Sequence, residues 1–204
     1  AVPQGLSSSI FTTNLKRDSD NDPFTECLAM VNSPCNYDTT FAIPASPVGG
    51  PVRYRISVKT ASAVVGADVD LMIGVDADGD GPEASEIQCS SGSATSSEFC
   101  SVTVQTTAAP QTVWARVNRY FGDTAGNSIA LTVESAQVAM TPGVNRSLVA
   151  TGPGHTNTNQ AFSLRLGYDD PSFLPGQSRI GFVLLQSTAG TTIAEIPVTI
   201  KRST

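Results

Sequence analysis

The sequence predicts an all-β chain that folds as two β-sandwiches. Apolar residues recur at every second position far more often than at the helical period of about 3.6 residues. In the segment "VDLMIGV", for example, Val69, Leu71 and Ile73 share one face of a strand. Gly, Pro, Ser, Asn and Asp, which form turns, separate such runs. Short strands at regular spacing with turn residues between them are typical of β-sandwiches.

The same alternation predicts each strand in chain order. In "RYRISVK" the side chains of Tyr54, Ile56 and Val58 point inward. Later strands lie in "CSVTVQT", "TVWARVNRYF", "SIALTVES", "QAFSLRLGY", "RIGFVLLQ" and "AEIPVTIK". One short helix is predicted in "DPFTECLAMVN", where Asp22 can cap the first turn and Pro23 can occupy it.

The chain length favours two domains, because 204 residues can bury two separate cores. A boundary is predicted near "QVAMTPGVN", where a strand ends and a Pro-Gly pair follows. Residues 1–138 then form the first sandwich with an N-terminal extension, and residues 139–204 form a second, smaller one.

The charge balance excludes two classes of partner. Twelve Lys and Arg against eighteen Asp and Glu give a formal charge of −6, and no basic run interrupts that balance. Nucleic acid and anionic membrane surfaces are therefore not expected partners. No stretch approaches the roughly eighteen apolar residues of a membrane-spanning helix. The chain begins without Met, which is typical of a processed or excised fragment.

The four cysteines fall in two local pairs, Cys27 with Cys35 and Cys89 with Cys100. Neither pair has the C-x-x-C spacing of a zinc or redox site. Four cysteines allow three pairings, and we favour these two because each closes a short loop. Local pairs indicate disulfides made in an oxidising compartment and hence a secreted, extracellular protein. Free buried thiols are the alternative.

A longer pattern covers roughly residues 38–135. It comprises Asp68, Asp70 and Leu71 in "VDLMIGVDADGDG", the Cys89 and Cys100 pair, and then Trp114, Val117, Tyr120 and Leu131 in the two strands that follow. This order and spacing resemble the bacterial pre-peptidase C-terminal domain, a jelly-roll-like sandwich. The resemblance departs at the acidic insertion before Cys89 and in the first 37 residues, which have no counterpart.

The second part resembles the small fibronectin-III-like or immunoglobulin-like modules that follow catalytic domains in secreted proteases. The pattern is "AFSLRLGYDDPSFLPGQSRIGFVLLQ" followed by "IAEIPVTIKR". Together the two resemblances imply a non-catalytic C-terminal region of a secreted, subtilisin-like peptidase. Such a region would aid secretion or folding of the parent catalytic domain, or dock it to insoluble protein such as collagen.

The segment "DADGDG" places Asp76, Asp78 and Asp80 at alternate positions before Gly81. Ca²⁺ takes six to eight oxygen ligands, and a D-x-D-x-D-G turn supplies several of them with glycine at the sharp bend. The carbonyl of Pro82 can add a ligand. At position twelve, where a bidentate Glu is usual, the sequence has Ile87, so the remaining ligands are expected from Glu83 or Glu86. The alternative is a solvated acidic turn.

A second acidic triplet, in "RDSDNDPF", sets Asp18, Asp20 and Asp22 at the same spacing. Proline replaces the glycine here, and Arg17 can offset the charge. This triplet is a weaker calcium candidate. Asp68, Asp70 and Asp123 are single carboxylates that can complete a shell from neighbouring strands, or simply lie on the outer faces of those strands.

The strand "TVWARVNRYF" predicts a binding surface. If Val113 and Val117 face the core, Trp114, Arg116 and Tyr120 line the opposite face, and this composition is typical of binding sites. The alternative is that another segment covers Trp114, since Trp is highly buried on average.

Catalysis has little support in the sequence. The single histidine, His155, lies in the turn-like segment "GPGHTNT", and the sequence shows no nucleophile elbow, H-E-x-x-H or phosphate loop. We therefore expect a chain without enzyme activity. The rival to a peptidase accessory region is a free-standing adhesion or carbohydrate-binding module that uses the Trp114 face or the calcium itself.

Overall fold

The computed structural model describes residues 2–7, 9–25, 34–140, 147–157 and 159–203, with side chains from residue 9 onward. The described residues are all-β, as predicted, and contain thirteen strands and one 3₁₀ turn. In chain order the strands are β1 (Val2–Ser7), β2 (Ser9–Lys16), β3 (Asn36–Ile43), β4 (Arg53–Ala61), β5 (Val69–Asp76), β6 (Ile87–Ser91), β7 (Phe99–Gln105), β8 (Gln111–Arg119), β9 (Ser128–Ala139), β10 (Leu148–Thr151), β11 (Arg165–Tyr168), β12 (Ser178–Gln186) and β13 (Thr192–Lys201). The 3₁₀ turn is Ala84–Glu86.

The chain forms two compact units. One, here called the sandwich unit, is Ser9–Ser135; the other, the C-terminal unit, comprises Ala1–Ser8 and Ala136–Thr204. The division after Ser135 lies close to the predicted boundary at 138. The first eight residues differ from the prediction, which placed them with the first domain. They belong to the C-terminal unit because β1 pairs antiparallel with β12, Val2 opposite Leu184.

The sandwich unit packs two four-stranded antiparallel sheets face to face. Their strand orders are β2-β9-β4-β7 and β3-β8-β5-β6. Side chains from both sheets form one core, with Leu15, Ile56 and Leu131 from the first and Ile73 and Val117 from the second. The apolar residues that alternate along the sequence are therefore the residues that the strands bury. They form the two inner faces, which pack against each other.

A disulfide joins the two sheets at one edge. Cys89 on β6 is bonded to Cys100 on β7, with the Cα atoms 5.9 Å apart. β6 and β7 are the edge strands of their respective sheets. This predicted pair is confirmed. Cys35 is buried, but Cys27 lies outside the described residues, so the Cys27–Cys35 pairing remains a prediction. The predicted helix in residues 22–32 also falls mostly outside them.

A buried ion pair closes the end of the core. Arg119 is fully buried and donates two hydrogen bonds to the carboxylate of Asp123, at 2.7 and 2.8 Å. The same guanidinium donates to the carbonyl oxygens of Leu15 and Ala125. Arg17 adds a third bond to Asp123 at 3.1 Å, from a side chain that is 43% exposed. Asp123 therefore acts as an acceptor for arginines and is not available to complete a metal shell.

The C-terminal unit has two smaller antiparallel sheets, β1-β12-β13 and β10-β11. Ala136, Val138, Ile180 and Phe182 form one apolar cluster, and Leu148 with Val183 form another. The predicted strand in "QAFSLRLGY" is shorter than expected, since only Arg165–Tyr168 pairs. Among the residues that the structure describes, no helix is long and apolar enough to cross a membrane.

Replacing Asp123 by alanine should destabilise the protein by about 3 kcal/mol, because Arg119 is then left as a buried charge without its carboxylate. Arg17→Ala is the matched control on the same carboxylate, and should cost less than about 1 kcal/mol because Arg17 is half-exposed. Urea unfolding at pH 7 measures both. Equal losses for the two variants would show that the buried pair does not stabilise the fold.

The carboxylate of Asp123 makes a pH-dependent contribution to the stability of the fold. Burial alone would raise the pKa of Asp123, but hydrogen bonds and the charge of Arg119 outweigh it and hold the pKa below the ordinary value of 3.8. A lowered pKa in the folded state gives stability that is present above the ordinary pKa and is lost as pH falls through the lowered one. The stability gap between wild type and Asp123→Ala should therefore narrow below about pH 3.8.

Candidate metal site

The acidic segment forms the loop of a β-hairpin. β5 ends at Asp76 and β6 begins at Ile87, and the two strands pair antiparallel. Gly79 and Gly81 within the loop have φ values of 90° and 107°, which favour glycine. Ile87, which occupies the position of the usual bidentate Glu, is the first residue of β6 and has no side-chain oxygen. The short 3₁₀ turn before it carries Glu86 back towards the start of the loop.

The loop brings its carboxylates together in two overlapping groups of three. Asp76, Asp78 and Glu86 each offer one oxygen, and these oxygens lie within 4.8 Å of one another. Asp78, Asp80 and Glu83 form a second group with the same spacing. Each of the five carboxylates predicted in this loop thus belongs to one of the two groups, and Asp78 belongs to both. The ligand role of the Pro82 carbonyl remains a prediction.

Glu86 is held by hydrogen bonds from two different elements. The indole N–H of Trp114 on β8 donates to its Oε2 at 2.9 Å, and the backbone N–H of Ala77 donates to its Oε1 at 2.5 Å. Trp114 is only 1% exposed. It lies opposite Gly74 in the sheet register, and a Cβ at Gly74 would collide with the indole ring. The carboxylate is thus positioned by a rigid residue of the sandwich.

The loop carries uncompensated negative charge. The pKa of Asp80 is raised, first by the hydrogen bond it shares with the Asp78 side chain, then by burial and by the charges of Asp78, Glu83 and Asp76. Within the described residues, no ion pair involves any carboxylate of this loop. The neighbouring charges thus contribute to the raised pKa of Asp80, and a bound cation would relieve their repulsion.

The second acidic triplet is arranged differently. Each carboxylate accepts a hydrogen bond from the backbone N–H two residues on: Asp18 from Asp20, Asp20 from Asp22, and Asp22 from Phe24. Asp18 is buried and also accepts from Asn118, and Thr25 lowers the pKa of Asp20 by donating to it. The carboxylates do not converge as the hairpin loop's do. We interpret this triplet as a chain of Asx turns, and its role as a metal site stays a prediction.

The predicted binding surface on β8 is covered. Trp114 contacts the ring of Phe24 edge-on at 6.2 Å, and Arg116 lies over the same ring at 5.4 Å. Arg116 also donates to the carbonyl oxygen of Pro23 and makes two bonds to Asp38. Tyr120 is half-buried. The segment of residues 17–25, here called the N-terminal segment, thus covers this face through Pro23 and Phe24. This corrects the prediction of Trp114 as an exposed anchor.

Two carboxylates near the start of β5 are less exposed than a strand's outer face would suggest. Burial raises the pKa of Asp68 and of Asp70, and the nearby charge of Glu98 raises both further. Glu98 itself is 3% exposed and accepts hydrogen bonds from Ser91 and Ser93. The sequence contains no periodic signal for Glu98, because it lies in the connection before β7.

Comparisons with known proteins leave the family open. No family model matches the chain, and no curated protein matches it. A periplasmic inhibitor of g-type lysozyme, PliG from Aeromonas hydrophila, is similar in structure at 10% identity and a TM-score of 0.36, covering 65% of this chain and 88% of PliG. Dimeric latent PorU from Porphyromonas gingivalis is similar at 9% identity and a TM-score of 0.23. That match covers 85% of this chain and 15% of PorU.

Trp114 is the single tryptophan of the chain, so its fluorescence reports directly on the loop. Titrating Ca²⁺ should change the emission of wild type, because the indole donates to a candidate ligand. Glu86→Gln keeps an acceptor for the indole but loses the charge, and should weaken the response by at least about tenfold. Asp169→Asn, an exposed charge in the C-terminal unit, is the control. An identical titration for Glu86→Gln would contradict this assignment of Glu86.

Proposed function

We propose that this chain is a non-catalytic accessory region of a secreted bacterial peptidase, stabilised by calcium at the hairpin loop of Asp76 to Glu86. The observation that carries the calcium part is the presence of two overlapping groups of three carboxylates in one loop, with Glu86 held in place by Trp114. A site formed at a hairpin tip and tied to the sandwich is suited to stabilise the fold.

The ligand chemistry supports Ca²⁺ among the common metals. Every converging side chain is a carboxylate, and hard cations prefer oxygen ligands, whereas zinc and copper favour nitrogen and sulfur. Ca²⁺ accepts flexible coordination by many carboxylate and carbonyl oxygens, whereas Mg²⁺ demands a small octahedral shell and keeps several waters. A glycine-containing loop with oxygens from both ends matches the calcium preference.

The disulfide supports a location outside the cytoplasm. Cys89 and Cys100 are bonded across the edges of the two sheets, and such bonds persist in oxidising compartments. Together, a disulfide and a bound ion would hold the hairpin and its neighbouring strand against unfolding. Resistance to local opening protects a domain that works beside a protease, because proteases cleave transiently opened segments.

The peptidase part of the proposal is supported by the family resemblance of residues 38–135. These residues lie within the sandwich unit, and their cysteine pair, Cys89 and Cys100, is bonded. As such a region, the chain would aid secretion or folding of its parent catalytic domain, or dock that domain to insoluble protein such as collagen. We assign no catalytic step to it.

The rival function is a free-standing adhesion or carbohydrate-binding module. The residue predicted to bind its ligand, Trp114, is covered by the N-terminal segment, so a ligand would have to use another surface. The parent reading frame separates the two functions, because a protease domain encoded upstream supports the accessory role. In a pull-down, retention on insoluble collagen favours docking to protein, and its absence favours the rival.

Removing calcium should lower the melting temperature. A ligand present at about one hundred times its Kd stabilises the native state by about 2.7 kcal/mol, which corresponds to roughly 5–10 °C for a unit of this size. Scanning calorimetry in excess Ca²⁺ and then in excess chelator measures the difference. Identical melting curves in both conditions would remove the claim that calcium stabilises the fold.

A further inference from the structure

A surface groove of about 560 Å³ lies within the C-terminal unit. One wall is the loop between β10 and β11, and the other is the end of β12 with the turn into β13. The groove is open to solvent, since Phe162 is 42% exposed and Ile193 is 70% exposed. Its volume falls in the range of ligand-binding clefts, which is about 300–1,000 Å³.

The lining combines apolar side chains with polar ones. The apolar side chains are those of Phe162, Leu164, Leu185 and Ile193. The polar side chains, here called the rim, are those of His155, Thr156, Asn157, Gln186, Ser187 and Thr188. Among the described residues, no Asp, Glu, Lys or Arg lines the groove. The rim therefore combines hydroxyl groups, which both donate and accept, with amides that do the same.

We propose that this groove binds a neutral saccharide unit. A charged ligand would enter without an opposite charge to compensate its desolvation. A purely apolar ligand would leave the rim amides and hydroxyls without partners. A sugar ring satisfies both constraints, because one face of C–H groups packs on Phe162 while its hydroxyls meet the rim.

The amide groups strengthen this assignment. In the part of the chain that the structure describes, no hydrogen bond engages the side-chain amide of Asn157 or of Gln186. By contrast, the side-chain oxygen of Gln160, which lies outside the groove, accepts hydrogen bonds from the Thr156 hydroxyl and from the backbone N–H of Asn157. The two rim amides are therefore available to a ligand.

An added peptide strand is a poorer occupant of this surface. β13 is the last strand of the described sheet β1-β12-β13, and its outer edge starts beside the groove at Ile193. Pro197 lies in the middle of β13, opposite Phe182. A paired strand tolerates proline where the missing N–H points away from its neighbour, so Pro197 removes a donor from that free edge. Strand addition along β13 would thus be interrupted.

The test is saturation-transfer NMR and calorimetry with the full chain and a panel of neutral hexasaccharides of cellulose, xylan, mannan, chitin and starch type. At least one should bind, and Phe162→Ala should weaken its binding by about tenfold or more, because the apolar face of the sugar loses its contact. Asn157→Ala should also weaken it. Phe121→Ala, which removes a phenylalanine that is 50% exposed in the sandwich unit, should bind like wild type.

Three results would overturn the proposal: no hexasaccharide of the panel binds, the Phe162→Ala and Asn157→Ala variants bind the best one unchanged, or only a polyuronate or an extended apolar peptide binds. Circular dichroism of each variant checks that the fold is intact. The inference goes beyond the calcium-stabilised accessory role and does not rest on it. Calcium-dependent melting reports on the sandwich unit, so failure of either proposal can be recognised separately.

Discussion

The sandwich unit depends on one constraint, which is that both faces of the strand β8 are buried. This strand is hydrogen-bonded to β3 on one side and β5 on the other. Its polar side chains therefore need partners within the protein, because a buried donor without an acceptor costs about 1–3 kcal/mol. Trp114 meets Glu86, Arg116 meets Asp38, and Asn118 meets Asp18. Through these bonds one strand positions the acidic loop and the N-terminal segment.

The acidic loop contains one firmly held carboxylate and several exposed carboxylates whose charges repel each other. Glu86 is held by a buried indole, whereas Asp78 and Asp80 lie on an exposed turn and crowd each other's charges. Rigid placement of one carboxylate lowers the entropic cost of gathering the others, and a divalent ion would remove their repulsion. The stabilising role that we propose for calcium rests on this combination, since the ion would tie the hairpin tip to the centre of the sheet.

Several elements could be predicted from sequence because their causes are local. Alternation along "VDLMIGV" specifies β5, and the spacing of Asp76 to Asp80 specifies an acidic turn. Other features depend on distant segments. The pairing of β1 with β12 joins residues far apart in the chain. Period-two alternation shows that Trp114 lies on the outer face of β8, but it does not show that Phe24 covers it. The triplets at Asp18 and Asp76 share one spacing, and only the folded structure shows that the carboxylates of the second triplet form close groups with Glu83 and Glu86.

Calorimetric titration of Ca²⁺ into wild type, Asp78→Asn and Asp20→Asn tests the central claim most directly. Asp78 belongs to both converging groups of the hairpin loop, whereas Asp20 belongs to the similarly spaced triplet that forms Asx turns. Wild type and Asp20→Asn should bind calcium alike, and Asp78→Asn should lose most of the affinity. Wild-type binding by Asp78→Asn, or no calcium binding by wild type, would contradict the assignment of the loop as a cation site.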